Sequence, residues 1–302
     1  MTAPPPRFGR GRTAARVLAR VIDVAVWAGS RTPPGIAHGL AAIGGTLEWT
    51  VRPKKRRRLA ANLAHAVGSP PDSRLVRRLV RTEIRNEAYR SADLLWALGR
   101  PHEFLAAAEL DGIEMAQETV AAGHGLILVG THLGGWEVAT SVPGAMLGAP
   151  TSVIVADDWL AWAIEHARTA VGLSVVYPKV AALHCLRRLR AGEIVLMLGD
   201  DGRHAEHRHR TRFLDGEADL ASGAATLSRL SRSPVITFTV LPVAPRRWRV
   251  IVEPPLGPPA SESGDDGERE LLQQLADRWT AMITAHPEHW AASHEIAWVQ
   301  DG

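Results

Sequence analysis

Three features of the sequence predict an α/β fold: a mainly parallel central sheet flanked by helices, with a helical N-terminal region. First, from Gly125 onward short apolar runs alternate with helical stretches: Leu126 to Val129, Ser152 to Val155, Leu173 to Val176, Ile194 to Leu198, Val235 to Leu241 and Trp248 to Val252. Such runs are too short for helices and suit strands covered on both sides. Second, that alternation is the pattern of parallel strands joined by crossover helices. Third, the first hundred residues lack strand-like runs and instead show helical periodicity. No internal repeat is present, and only Pro254 to Gly267 has linker-like composition. The expectation is one domain over 1–302, with a helical part at 1–110 and an α/β core at 111–302.

In chain order, Thr13 to Gly29 reads as a first helix, ended by Gly29 and the Pro33-Pro34 turn. Gly35 to Val51 reads as a second, so that 13–51 forms a hairpin. The apolar residues from Val17 to Trp27 are interrupted by Arg20 and Asp23, too short and too charged a run to span a bilayer. No small-residue cleavage site follows to make it a secretory signal. An amphipathic helix lying on a membrane fits the pattern, with an ordinary core helix as the alternative. Arg52-Pro53-Lys54-Lys55-Arg56-Arg57-Arg58 comes next. Basic runs are often only a solvated helix start, but beside such a hairpin they suit anionic headgroups, at about 1 kcal/mol per residue. Nucleic acid ranks lower, because no aromatic platform accompanies the charges. Lys54 to Val67 continues as a helix with Leu59, Asn62, Leu63 and Ala66 on one side. Asp72 is placed to cap a long helix reaching about Leu98.

The 302 residues are 46% apolar and 22% charged, which excludes disordered and fibrous classes. Net charge is +3 and the sequence pI about 9.5, with basic residues nearly all Arg. A single Cys185 rules out an internal disulfide and any Cys-based zinc site, which suits a reducing, cytoplasmic setting. No metal is expected.

The chemistry concentrates at Gly125 to Glu137, Gly-Leu-Ile-Leu-Val-Gly-Thr-His-Leu-Gly-Gly-Trp-Glu. Here a buried strand ends in a polar His, where α/β proteins place their sites. Gly134 and Gly135 permit a tight turn, and Trp136 opens a helix. On one continuous helix His132 and Glu137 would lie about 140° apart. With His132 in the turn, the carboxylate can fold back to orient the imidazole as a general base. The competing reading is a His that closes a strand end through hydrogen bonds.

A second polar tip, Gly199-Asp200-Asp201-Gly202-Arg203, follows Ile194 to Leu198 and would reach the same sheet edge. One Asp would pair with Arg203 or with substrate; alternatively the pair only caps a loop. His204 to Arg210 resembles a metal site, but its interleaved arginines favour a polar loop over the active-site edge. Arg168 could hold a phosphate or headgroup, or be an exposed helical Arg. There are ten Trp against two Tyr and four Phe. Trp136, Trp159 and Trp162 could line an acyl-chain groove, or be plain core.

Four blocks together resemble the bacterial lipid acyltransferases, which include the late acyltransferases of lipid A and the actinobacterial phosphatidylinositol mannoside acyltransferases. These are Asn62-Leu63 after a basic helix, the His-X4-Glu of His132 to Glu137, the closing His286-Pro287-Glu288-His289-Trp290, and a longer central block. That central block is Leu198 to Arg203 with Arg212-Phe213-Leu214-Asp215-Gly216 and Ser222-Gly223-Ala224-Ala225. The resemblance implies the α/β fold of glycerolipid acyltransferases and an O-acyltransferase bound peripherally at the cytoplasmic face of the membrane. It would use acyl-CoA or acyl-ACP as co-substrate and no resident cofactor. It also implies His132 as base, Glu137 as its orienter and Asp200 as an acidic partner. Gly134, Gly135 or Arg168 would stabilise the oxyanion, with Asp201, Arg203 and Trp136 on the substrate side. Members usually carry an Asp-Arg-Asp type block where this chain has Asp200-Asp201-Gly202-Arg203, and a Phe-Phe-Gly type block where it has Phe213-Leu214-Asp215-Gly216. These departures bear on the acceptor. The composition resembles that of an actinobacterial protein and favours a mannoside glycolipid. A divergent member acylating another lipid or a small molecule, or an inactive acyl- or lipid-binding homologue, are the alternatives.

Overall fold

The computed structural model describes residues 12–139, 146–155, 165–170, 172–200, 205, 207–260 and 263–299. Helices lead the chain: α1 (Arg12–Arg31), α2 (Pro34–Val51), α3 (Pro53–Val67) and α4 (Arg74–Gly99). Prolines at the first position of α2 and α3 explain the sharp joins, since Pro lacks the N–H that a helix start leaves unpaired. The cap of α4 is Ser73 and not Asp72: the Ser73 hydroxyl accepts from the Val76 N–H. Short α5 (Pro101–Ala107) and α6 (Ile113–Ala121) flank β1 (Glu109–Asp111), an edge strand too brief for sequence periodicity to reveal.

The expected runs form β2 (Leu126–Gly130), β3 (Thr151–Ile154), β4 (Leu173–Val176), β5 (Ile194–Leu198), β8 (Val235–Ala244) and β9 (Arg247–Val252). Between them lie α7 (Trp136–Ala139), α8 (Glu165–Ala170), α9 (Pro178–Arg190) and α10 (Gly223–Ser231), and α11 (Gly264–Ala285) follows. The seven-stranded sheet runs β1-β9-β8-β2-β5-β3-β4. Every pairing in it is parallel except the β8–β9 hairpin. A separate antiparallel hairpin, β6 (Arg208–Phe213) with β7 (Gly216–Ala221), was not expected. It corrects the reading of His204 to Arg210 as a loop, because 208–210 are strand and His209 is buried. Polar residues alternate outward along β6, and the charge content hid that alternation. The linker reading is also shortened, since Gly264 to Gly267 already belong to α11.

The β2 and β5 side chains alternate between two cores. Ile127, Val129, Val195 and Met197 pack with α3, α4, α9, α10 and α11. Leu126, Leu128, Ile194 and Leu196 pack with Trp96, Phe104, Ile113 and the inner side of β8 and β9. Burial on both faces is why these strands read as continuous apolar runs. Cys185 lies within the first core, fully buried.

Candidate active site

Strand register builds the site. Gly130 of β2 is paired with Leu198 of β5, so two residues further on His132 and Asp200 stand side by side. The Gly199 N–H donates to the Gly130 carbonyl at 2.8 Å and carries the pairing past the strand ends. The Asp200 carboxylate then accepts from His132 Nδ1 at 2.8 Å and from the His132 backbone N–H at 3.0 and 3.2 Å. Trp290 Nε1 donates to its other oxygen at 3.0 Å. His294 Nε2 donates to the Asp200 backbone carbonyl at 3.1 Å, and its ring lies 4.4 Å from that of His132.

Asp200 is fully buried. Burial alone would raise its pKa, but the charge and hydrogen bond of His132, then the charge of His294 and the Trp290 hydrogen bond, hold it far below the carboxylate range. A carboxylate kept ionised against Nδ1 fixes the tautomer and leaves Nε2 as the basic nitrogen. That side chain is 17% exposed, so the imidazole is anchored yet open to solvent.

Glu137 sits in the first turn of α7. Burial pushes its carboxyl up, opposed by the charges of Arg168 and Arg90, and it also lies within the field of His132. The carboxylate on Nδ1 is thus Asp200, while Glu137 contributes charge between His132 and two arginines. Arg168, on α8, is buried and not the exposed helical Arg that sequence suggests. Trp136 meets the His132 ring edge to face at 5.1 Å. Asp201, Arg203, Trp159 and Trp162 lie outside the described residues.

The expected oxyanion role of Gly134 and Gly135 is corrected. Their backbone N–H groups already donate, Gly134 to the His289 carbonyl at 2.8 Å and Gly135 to the Val240 carbonyl at 2.7 Å. Gly134 has φ +65°, and a Cβ there would lie 1.9 Å from the Val240 carbonyl oxygen. At Gly135 a Cβ would come within 2.4 Å of the Trp248 ring. These glycines let the turn press onto β8 and Trp248.

Among the described residues two clusters have metal-like composition, His132 with Asp200 and His294, and His209 with Asp265 and Glu268. In the first, the Asp200 carboxylate is filled by N–H donors and His294 Nε2 donates to a carbonyl, so the arrangement is a hydrogen-bonded clamp. In the second, Arg229 Nε and the Thr226 hydroxyl already occupy both Glu268 oxygens.

Sequence reasoning did not place Trp290 or His294 at the site. Trp290 stood in a recognised block, but the role of its indole N–H depends on a bridge between Leu133 and Trp290 that only the fold reveals. His294 lacks any local pattern. Other quoted blocks converge behind them: Phe213 packs edge to face on Trp290, and Asn62 reaches the chain at Ala292 and His294.

The described residues thus place an imidazole, held by a buried carboxylate, at the ends of adjacent parallel strands. Residues 11–295 match the family described as bacterial lipid A biosynthesis acyltransferase, and the chain belongs to it. The protein is accordingly an acyltransferase acting on lipids. None of the curated proteins compared with the chain matches it.

Proposed function

We propose that this protein transfers a fatty acyl group from acyl-CoA or acyl-ACP to a hydroxyl of a membrane glycolipid such as a phosphatidylinositol mannoside, with His132 as general base. The observation that carries the reading is the 2.8 Å contact of Asp200 with His132 Nδ1. The acceptor hydroxyl gives its proton to Nε2 as its oxygen bonds to the thioester carbonyl carbon. The tetrahedral intermediate collapses with cleavage of the C–S bond, and the imidazolium returns the proton to the leaving thiolate. Ester and free thiol are the products. Arg168 is the group assigned to the oxyanion, and Glu137 the carboxylate that balances it.

Support for an acyl substrate comes from an apolar cavity lined by Phe104, Ala116, Leu128, Leu196, Phe238 and Val252 among others. Leu128 and Leu196 lie on the strands that carry His132 and Asp200.

Support for a membrane acceptor comes from α1 and α2. Val17, Val21, Val24 and Trp27 on α1, and Ile36, Leu40, Ile43, Leu47 and Val51 on α2, are 57–69% exposed at helical spacing. No described helix is long and apolar enough to cross a membrane. The stripe suits the headgroup–acyl boundary instead. Beside it Arg52, Lys54, Arg57 and Arg58 are exposed, whereas Lys55 turns inward to Glu48 and Glu87.

The test is palmitoyl-CoA thioester consumption by wild type and His132→Ala, with and without an actinobacterial polar lipid extract. Turnover stimulated by the extract and abolished in the variant is expected. Near-wild-type turnover by His132→Ala would remove the base assignment.

A further inference from the structure

The C-terminal segment crosses the molecule as a strap, and its fastening points lie on α3. Asn62 is buried, and its Nδ2 donates to the Ala292 carbonyl at 2.8 Å and to the His294 carbonyl at 3.0 Å. Its Oδ1 accepts from Trp298 Nε1 at 2.8 Å. One amide side chain therefore holds the strap at three places, using both of its polar atoms. From the strap, His294 reaches the Asp200 carbonyl at 3.1 Å and Trp290 reaches the Asp200 carboxylate at 3.0 Å. Asp200 in turn fixes His132.

We propose that His294 is a positioning residue for Asp200, set in place by Asn62, so that helix α3 determines the orientation of the His132 base. This rests on the reading of His132 as the base. The Asp200 side chain is held by donors, but its backbone lies where β5 has ended, beyond the last strand residue Leu198. The last sheet bond, from the Gly199 N–H to the Gly130 carbonyl, falls one residue short of the Asp200 carbonyl. The bond from His294 holds that carbonyl, and a carboxylate on an anchored peptide keeps one geometry against Nδ1. Because α3 follows directly on the exposed apolar hairpin, the same tie links the lipid-facing end of the chain to the base.

The test uses the full chain with two substitutions that separate the ring from its donor. His294→Phe keeps a ring and loses the donor; His294→Gln loses the ring and keeps a donor. The ¹⁵N spectrum of labelled histidines, with His132 assigned by its loss in His132→Gln, reports which nitrogen carries the proton. In wild type and His294→Gln the Nδ1–H form is expected to dominate, and in His294→Phe a mixture. For turnover, His294→Phe is expected to lower kcat about tenfold to a hundredfold with KM for the thioester unchanged, and His294→Gln to recover most of it. Asn62→Asp keeps the acceptor for Trp298 and removes the donor to both carbonyls, so it should show the same His132 mixture. An unchanged His132 spectrum in His294→Phe, or equal impairment of the Phe and Gln variants, would overturn the positioning role. A thermal shift in Asn62→Asp with an unaltered His132 spectrum would overturn the part given to α3. Should wild type consume no thioester with any acceptor, the acyltransfer chemistry proposed above fails, while the spectra still decide this proposal.

Discussion

Two regions of the molecule are rich in apolar residues and dispose of them in opposite ways. In the sheet, Leu126, Ile127, Val129, Ile194 and Val195 are wholly buried between two helical layers. On α1 and α2, one side packs on α4 and the other presents Val24, Trp27, Leu40 and Ile43 at 60–69% exposure. Burial is worth about 25 cal/mol per Å², so leaving so long an apolar stripe in water forgoes stabilisation that the sheet collects. On the function proposed above, the sheet holds stability and the stripe holds location.

The sharpest way to break the comparison is to place the same charge in each region. Ile127→Asp buries an unpaired carboxylate, costs several kcal/mol, and is expected to leave no folded protein by circular dichroism. Val24→Asp is expected to change stability by less than about 0.5 kcal/mol in urea titration. Yet it should abolish sedimentation with anionic vesicles. Retained vesicle binding in Val24→Asp and Ile43→Asp together would show that the stripe is not the docking face.

A second substitution sharpens it through catalysis. Asp200→Asn removes the charge that holds His132 in one tautomer, and should lower kcat by about 10² to 10⁴ on detergent-dispersed and vesicle-borne acceptor alike. Hairpin variants should lose turnover on vesicles only. An Asp200→Asn enzyme with wild-type kcat would displace Asp200 from the site.

Much of this division was legible in the sequence, and the gaps have physical causes. The strands of the parallel sheet read clearly because burial on both faces imposes unbroken apolar runs. His132 and Asp200 were both visible as polar tips on such runs, expected at one sheet edge with Asp200 as the acidic partner; the atoms that meet depend on β2 and β5 being neighbours, with 68 residues between the two side chains. The reading gave roles at His132 to both Glu137, near in sequence, and Asp200; the Nδ1 contact comes from Asp200, on a distant strand. Hairpin β6–β7 was hidden because its exposed positions are Arg and Glu. Gly134 and Gly135 looked like free N–H donors because a sequence does not show what approaches a backbone; here Val240 and His289 do.

Within the sheet region, the apolar cavity allows a smaller effect to be read. Ala116 is fully buried and lines it. Ala116→Leu should shift preference toward shorter acyl chains, because each methylene refused is worth about 1–3 kcal/mol. Competition between palmitoyl and lauroyl thioesters would measure this, and an unchanged ratio would place the chain elsewhere.

The smallest effect falls on α4, where hairpin and sheet meet. Glu83 is fully buried there, hydrogen-bonded to Arg90, and burial pushes its carboxyl up to about 7 against the opposing charge of Arg90. A folded-state pKa above the ordinary value of 4.5 means that the folded chain holds this proton more tightly. The contribution is therefore full below about pH 4.5 and lost as pH rises through about 7. Asp200 has the opposite sign, its contribution being lost only as pH falls below the usual carboxylate range. Unfolding free energy should decline by about 2–3 kcal/mol between pH 5 and pH 8, and Glu83→Gln should flatten that decline. Vesicle binding measured over the same interval should not follow it, because the exposed stripe on α1 and α2 is built from apolar side chains that do not titrate; a parallel decline in both would mean that the hairpin's seat on α4 governs docking, and that location and stability are coupled through this buried pair.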